Sequence, residues 1–252
     1  MVQSVKQGVS RNVKQAGEQG SKRGLERTTA IILILEGLLF FVPLIVLGTA
    51  INWPASLDEP ASVNLPLIAE NWNMVLLGYG VYLIYSILFW PLSHLVTRVI
   101  APNNVNTPML SVASGFGVAS AVLRVLGINR WLYPMPLLAQ LYLAPGASEQ
   151  TQETISIVYD TLNSYAGTLG EMMGVSLFAA LWFTLVSVAL LRSANFPKWL
   201  GAFGMLSAIS LYTPLVSVIG RDPGILIQIS VTLSILWFWA FAGVLLMRKA
   251  RD

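Results

Sequence analysis

Six long apolar stretches alternate with shorter polar segments along the chain, and this pattern predicts its fold. The stretches cover residues 29–51, 74–98, 108–128, 168–191, 199–219 and 225–247. A helix needs about 20 residues to cross roughly 30 Å of hydrocarbon, and each stretch is long enough. The pattern predicts an all-α, polytopic membrane protein with six transmembrane helices packed as one bundle over residues 29–247.

The segments outside the bundle are a polar tail at 1–28 and a short basic tail at 248–252. Valines at helical spacing, interspersed with basic residues, favour an amphipathic helix lying on anionic lipid in the first tail. Four glycines in the same segment favour a disordered basic tail instead. Both interpretations remain open at this point.

The third and fourth spans are joined by a segment that has two interpretations. Residues 131–143 are apolar, and a turn at Gly146 with Ser148 as a helix cap follows them. A helix over 151–191 measures about 60 Å, roughly twice the hydrocarbon thickness. We favour a long helical hairpin that projects on the outer side, because Asp160 and its polar neighbours are unsuited to lipid. The alternative is an interfacial or re-entrant segment over 131–143.

The first span has some features of a cleaved secretory signal. Two small residues, Gly48 and Ala50, follow an apolar run, as at a cleavage site. The run is longer than the apolar core of a usual signal peptide, and it contains Glu36. We therefore expect a retained membrane span.

The basic residues are distributed unevenly between the two sides of the predicted bundle. Twelve of the fifteen Lys and Arg lie in the two tails or in the loops at 98–107 and 192–198, whereas Arg130 and Arg221 lie in the opposite, more acidic loops. By the positive-inside rule we expect both termini to be cytoplasmic. The net charge of +3 then reflects topology, so the expected partner is the lipid bilayer and not nucleic acid.

The composition excludes several kinds of chemistry. Only 11% of the residues are charged, against about 25% in soluble domains. The chain has no cysteine and one histidine, His94, which excludes disulfides, thiolate chemistry and a histidine-based metal cluster. Phosphate-loop, zinc-protease, nucleophile-elbow and dinucleotide motifs are absent. We expect no cofactor, no metal and no enzymatic activity.

Two charges within the predicted spans are candidate site residues. Arg124 shares a helical stripe with small residues, among them Gly117 and Ala121, and Glu171 lies in the small-residue pattern "GEMMG". Both stripes should face another helix, and counting residues places the two charges at similar depth. We predict an interhelical ion pair between Arg124 and Glu171. The alternatives are that Arg124 anchors an anionic ligand, or that it pairs with Glu36.

Two further polar sets are predicted in the first two spans. Glu36 is placed near His94 and Arg98, either as a proton relay or as a structural hydrogen bond close to the interface. Polar side chains also form a stripe along the second span, which either lines a cavity or bridges helices. The stripe consists of Tyr79, Tyr82 and Ser86.

One loop carries a family resemblance. The segment "LLRSANFPKWLGAFGMLSAI" at 190–209 resembles bacterial membrane proteins known as domain of unknown function 4386. The matching residues are Leu191, Arg192, Ser193, Pro197, Lys198, Trp199, Leu200 and Gly201. The resemblance implies six helices, a location in a bacterial inner membrane and no known activity. An arginine in that family's middle span looks like Arg124, and Gln228 lies near the place where the family often has an acidic residue.

Two functional hypotheses follow from these features. The first is binding or carriage of a small anionic or amphipathic ligand, including an anionic lipid, in a cavity around Arg124. The second is an accessory or scaffold subunit of a larger membrane complex. A polar cavity that reaches Arg124 would favour the first hypothesis, whereas a dry bundle with a broad apolar groove would favour the second.

Overall fold

The structure is a computed structural model that describes residues 2–101, 107–220 and 226–248, with side chains from Gly17 onward except Glu18. In this part of the chain it contains ten α-helices and no strand. The helices are α1 (Val2–Leu39), α2 (Phe41–Ile51), α3 (Ala61–Glu70), α4 (Trp72–Ile100), α5 (Pro108–Leu132), α6 (Pro134–Tyr142), α7 (Glu149–Gly167), α8 (Ala179–Arg192), α9 (Lys198–Tyr212) and α10 (Leu226–Met247). Predictions for Arg221, Lys249, Arg251 and the side chains of residues 1–16 lie outside these limits.

Six helical rods are long and apolar enough to cross a membrane, which confirms the predicted fold class. They are Gln19–Ile51, Trp72–Ile100, Pro108–Tyr142, Glu149–Arg192, Lys198–Ile219 and Leu226–Met247. Helix α1 begins at Val2, so the segment before the first rod is helical and continuous with it. The chain is a multi-pass helical membrane protein.

Prolines account for the interruptions within the rods. Helix α1 ends at Leu39 because Pro43 has no N–H to donate to that residue's carbonyl. Helix α5 ends at Leu132, since the residue before Pro134 is disfavoured in the helical region. Pro214 converts the end of the fifth rod into a 3-10 helix (Thr213–Ile219). There the Thr213 hydroxyl donates to the Ser210 carbonyl at 2.7 Å.

The third and fourth rods form the predicted long hairpin. They contain 35 and 44 residues, or about 52 and 66 Å at 1.5 Å per residue, so they extend well beyond a hydrocarbon layer about 30 Å thick. Gly146 turns the chain with a φ of 82°, and the Ser148 hydroxyl caps α7 by accepting from the Thr151 N–H. Residues 134–142 form α6, which continues the third rod and packs on α3.

Two apolar cores lie at different levels of the bundle. The end of the bundle that contains α3, α6 and α7 is called the capped end. Its core includes the Tyr79 ring stacked on the Trp131 ring, with centroids 5.2 Å apart. Towards the other end, here the terminal end, a second core is built around Trp182 and Trp237. On α5 the two cores meet between Ala121 and Ile128, the stretch that contains Arg124.

Candidate functional site

The site is built on an unusually close contact between α5 and the fourth rod. Between α7 and α8 this rod is a π-helix, Thr168–Phe178, a rare conformation often found at functional sites. A Cβ added to Gly127 would lie 2.6 Å from the Gly170 Cα atom, so the two backbones touch. One turn away the Ser120 hydroxyl donates to the Gly174 carbonyl at 2.7 Å. Both small-residue stripes therefore face a helix, as predicted.

Glu171 forms its ion pair with Arg130, and the predicted pairing with Arg124 is wrong. Arg130 Nη2 lies 2.8 Å from Glu171 Oε1, while Nε donates to Asn163 Oδ1 at 3.1 Å and Nη1 donates to the Gly127 carbonyl at 3.0 Å. The Arg130 side chain is 4% exposed and has an acceptor for each of its three nitrogens. It is a fully engaged structural cation.

The helix register explains why Arg130 replaces Arg124 in this pair. The contacts match Gly127 with Gly170 and Arg124 with Gly174, so Glu171 lies one turn nearer the capped end than Arg124. From the terminal ends of their rods, Glu171 is about 32 Å away, Arg130 about 33 Å and Arg124 only about 24 Å. The sequence analysis placed Arg130 in a loop because it ended the third span at Ile128, whereas α5 continues to Leu132.

Arg124 is buried without a hydrogen-bond acceptor for two of its nitrogens. The residue is 6% exposed, and Nε and Nη1 have no partner among the described residues. Its guanidinium carbon lies 4.6 Å from the centre of the Phe89 ring and 5.7 Å from that of Tyr85, so cation–π contacts hold it against α4. The charge is positioned by aromatic rings, and Nε and Nη1 are the nitrogens without a described acceptor.

Glu36 of α1 is a fully buried acidic group. It is 0% exposed, and both carboxylate oxygens lack a hydrogen-bond partner in the described part of the chain. No salt bridge joins this carboxylate to Arg124. One helical turn further along the first rod, the Phe40 ring packs on that of Tyr85, with centroids 5.9 Å apart.

The predicted cluster of Glu36 with His94 and Arg98 does not form. His94 is exposed, and its Nδ1 atom lies 3.4 Å from the Ser114 hydroxyl oxygen of α5. Arg98 is also exposed. The reason lies in helical geometry, because His94 is two residues from the buried Leu92 and therefore points to the opposite side of α4.

Two small cavities meet at Arg124. The outer cavity, of about 40 Å³, lies towards the capped end, and the Arg130–Glu171 pair and Trp53 are among its lining groups. The inner cavity, of about 30 Å³, has a lining that is half aromatic and includes Tyr85. Arg124, Tyr82 and Val175 line both cavities. The guanidinium thus lies where the two cavities meet.

The predicted polar stripe of α4 contributes to these cavities in part. Tyr79 and Tyr82 line the outer cavity, and the buried Tyr79 hydroxyl has no partner in the ranges that the structure describes. Ser86 is fully buried, lines neither cavity, and its hydroxyl is likewise without a described partner. The stripe is therefore a cavity wall at its two tyrosines only.

A short segment between α2 and α3 covers the outer cavity, and the sequence analysis did not identify it. Leu57, in the 3-10 helix Ala55–Asp58, lines the cavity, and its carbonyl accepts from Asn163 Nδ2 at 2.8 Å. Asn64 Nδ2 donates to the Tyr159 hydroxyl at 2.6 Å, and that hydroxyl donates to the Glu59 carbonyl at 3.2 Å. This covering segment is therefore held on α7 by side-chain hydrogen bonds.

Comparisons with known proteins complete the description of the site. No group of His, Cys, Asp or Glu arranged to hold a metal ion occurs within the described ranges. No curated protein and no solved structure matches the chain. A family model described as "Domain of unknown function (DUF4386)" matches residues 31–248, the whole bundle with both of its cavities. The chain therefore belongs to the DUF4386 family of domains of unknown function.

Proposed function

We propose that the protein binds and carries a small anion at Arg124, without enzymatic chemistry. The observation that carries the proposal is a buried guanidinium, with two nitrogens lacking described acceptors, that lines both cavities. An arginine keeps its charge in any protein environment and donates through several N–H groups, which suits it to anion binding. Buried charge inside a membrane protein commonly marks a ligand or ion path.

Arg130 provides the comparison that separates a structural arginine from a binding one. Both arginines are on α5 and both are buried. Arg130 has a carboxylate, an amide oxygen and a backbone carbonyl as acceptors. Arg124 instead rests on aromatic rings, and its Nε and Nη1 atoms have no described acceptor. We therefore assign the anion to Arg124 alone.

The cavity volumes favour a compact anion over a large amphipathic one. A space of about 10–15 Å³ holds one water molecule, so the cavities have room for about three and two waters. Typical sites for drug-sized ligands are about 300–1,000 Å³. An anion of a few heavy atoms fits at Arg124 with the bundle as it stands, whereas a lipid tail requires helices to separate.

The position of the cavities suggests carriage as well as binding. One cavity lies on the capped side of Arg124 and the other borders the core of the terminal half. We place the terminal end in the cytoplasm, because basic residues such as Arg98 and Arg192 lie there. In this orientation the covering segment at 55–59 lies on the outer side and limits entry to the outer cavity.

The test is saturable stabilisation of the purified protein by anions in lipid nanodiscs. We expect chloride, nitrate or thiocyanate, at constant ionic strength with a bulky sulfonate as balancing anion, to raise the unfolding temperature of the wild type. Arg124→Leu should abolish the anion effect, because leucine fills similar space without donors. Arg130→Leu is the matched control, and it should lower stability while retaining the anion response.

Two results would overturn the proposal. One is an anion response that persists in Arg124→Leu, and the other is a wild type that responds to none of the three anions. In the second case, recovery of the protein within a larger membrane complex would favour the accessory-subunit hypothesis instead.

A further inference from the structure

The charge balance around Arg124 depends on one buried carboxylate. Glu36 is 0% exposed and lacks a hydrogen-bond partner for either oxygen among the described residues. One helical turn further along the first rod, Phe40 lines the inner cavity together with Arg124 and Tyr85. A buried carboxyl group is either neutral or ionised beside a compensating charge. When Glu36 is ionised in the protein without ligand, its charge and that of Arg124 compensate each other.

No other ionisable group in the described surroundings of Glu36 can take over this compensation. The helices that pack on α1 are α2, α4 and α10, and neither α2 nor α10 contains a titratable residue. From α4 the group that faces Glu36 is Tyr85, while His94 and Arg98 point outward. From α5 the facing group is Arg124. The Arg130–Glu171 pair is neutral as a whole and lies at the other side of the outer cavity.

Binding of an anion changes this balance. With an anion on Arg124, the guanidinium has two negative partners, and the buried cluster carries one excess negative charge. Excess charge in a low-dielectric site is relieved when the group that can titrate becomes neutral. Arginine does not lose its proton and a strong-acid anion does not gain one, so the carboxylate of Glu36 is the group that changes.

We propose that, at a pH at which Glu36 is ionised in the free protein, each anion bound at Arg124 is accompanied by one proton taken up on Glu36. This inference rests on the proposed function. The balanced step is the binding of one anion to the Arg124 guanidinium together with transfer of one proton from solvent to a Glu36 oxygen. The net charge of the cluster is then zero before and after binding. A carrier built in this way moves an anion and a proton together, which is electrically neutral transport.

The experiment measures anion affinity against pH, with chloride, nitrate and thiocyanate as probes because none of them titrates between pH 5 and 9. The wild type in nanodiscs is titrated by thermal stabilisation, and proton uptake is followed with a pH indicator in weakly buffered solution. We expect the apparent Kd to rise tenfold per pH unit over the pH range in which Glu36 is ionised in the free protein and protonated in the anion-bound protein. One proton should be taken up per anion bound.

Two variants assign the proton. Glu36→Gln should bind with an affinity that does not change with pH, and it should take up no proton. Glu26→Gln is the matched control, since Glu26 is on the same helix as Glu36, is paired with Arg248 and lines neither cavity. It should keep the tenfold dependence. If Glu36→Gln fails to fold, Glu36→Asp keeps the carboxylate and should keep proton uptake with a shifted midpoint.

The outcomes separate this inference from the proposed function. Wild-type binding at Arg124 that is independent of pH and takes up no proton overturns the coupling and leaves anion binding standing. Proton uptake that persists in Glu36→Gln overturns the assignment to Glu36. Absence of binding for all three anions at every pH overturns the proposed function itself.

Discussion

Gly127 of α5 and Gly170 of the π-helix lie in backbone contact, with space for no side chain between them. This contact sets the register of the two rods. It brings Arg130 within reach of Glu171 and leaves Arg124 nearer the terminal end, in contact with the Phe89 ring. The difference between the two arginines is thus a consequence of how closely two glycines approach.

The first prediction concerns this contact. Gly127→Ala should lower the free energy of unfolding by about 1–3 kcal/mol, because the new methyl group would lie 2.6 Å from the Gly170 Cα atom and must push the rods apart. Chemical denaturation in mixed detergent micelles measures the change. Gly115→Ala on the same helix is the control, since a Cβ there meets no atom within 4 Å and should be neutral or slightly stabilising. Equal effects of the two substitutions would contradict the close contact.

The second prediction concerns the ion pair of Arg130 and Glu171. Alanine substitutions at the two positions should be non-additive, with a coupling near the lower end of about 0.5–3 kcal/mol. The low value is expected because the Glu171 side chain is 41% exposed and solvent screens the pair. A double-mutant cycle measures the coupling. A double-mutant cycle with Arg124 and Glu171 should give a smaller coupling energy. A larger coupling for this pair than for Arg130 and Glu171 would contradict the ion pair seen in the structure.

The third prediction concerns the covering segment. Tyr159→Phe removes the hydroxyl that accepts from Asn64 and donates to the Glu59 carbonyl. We expect a loss of about 1 kcal/mol of stability and faster amide hydrogen exchange at residues 55–59. Tyr165→Phe on the same helix is the control, because Tyr165 is 67% exposed. Unchanged exchange in Tyr159→Phe would show that the hydroxyl does not hold the segment.

The fourth prediction concerns orientation in the membrane. Reporter fusions at Pro102 and Asn195 should be cytoplasmic, and fusions at Asp58 and Gly146 should be external, because basic residues concentrate at the terminal end. Enzymatic reporters active on only one side of the membrane make the measurement. An external fusion at Pro102 would invert the proposed orientation.

The six rods could be predicted from sequence because hydrocarbon imposes one requirement on every span, a long apolar helix. The long hairpin could also be predicted. Polar residues such as Asp160 lie in the first half of the fourth rod and are unsuited to lipid, so that half was expected to project beyond the membrane. The burial of Arg124 could be predicted from its stripe of small neighbours, Gly117 and Ala121, which indicated contact with another helix.

The partners of the charges could not be predicted, because pairing depends on register. A shift of six residues separates Arg124 from Arg130, and this is less than two helical turns. Span ends estimated from apolarity carry errors of similar size, as the extension of α5 to Leu132 illustrates. The roles of Asn64 and Tyr159 were equally hidden, since they are 95 residues apart in the chain. One signal was present, because the apolar run continues through Trp131 and indicates that Arg130 is inside a helix.

The π-helix at Thr168–Phe178 has a consequence for the geometry of the longest rod. A π turn contains more residues than an α turn, so each residue rotates the chain by a smaller angle. The segment therefore offsets the angular phase of α7 relative to α8. The buried face of α7, with Tyr159, can point at the covering segment while the buried face of α8, with Phe183, points at the inner cavity. One continuous helical rod thereby packs against the covering segment with one face and lines the inner cavity with another.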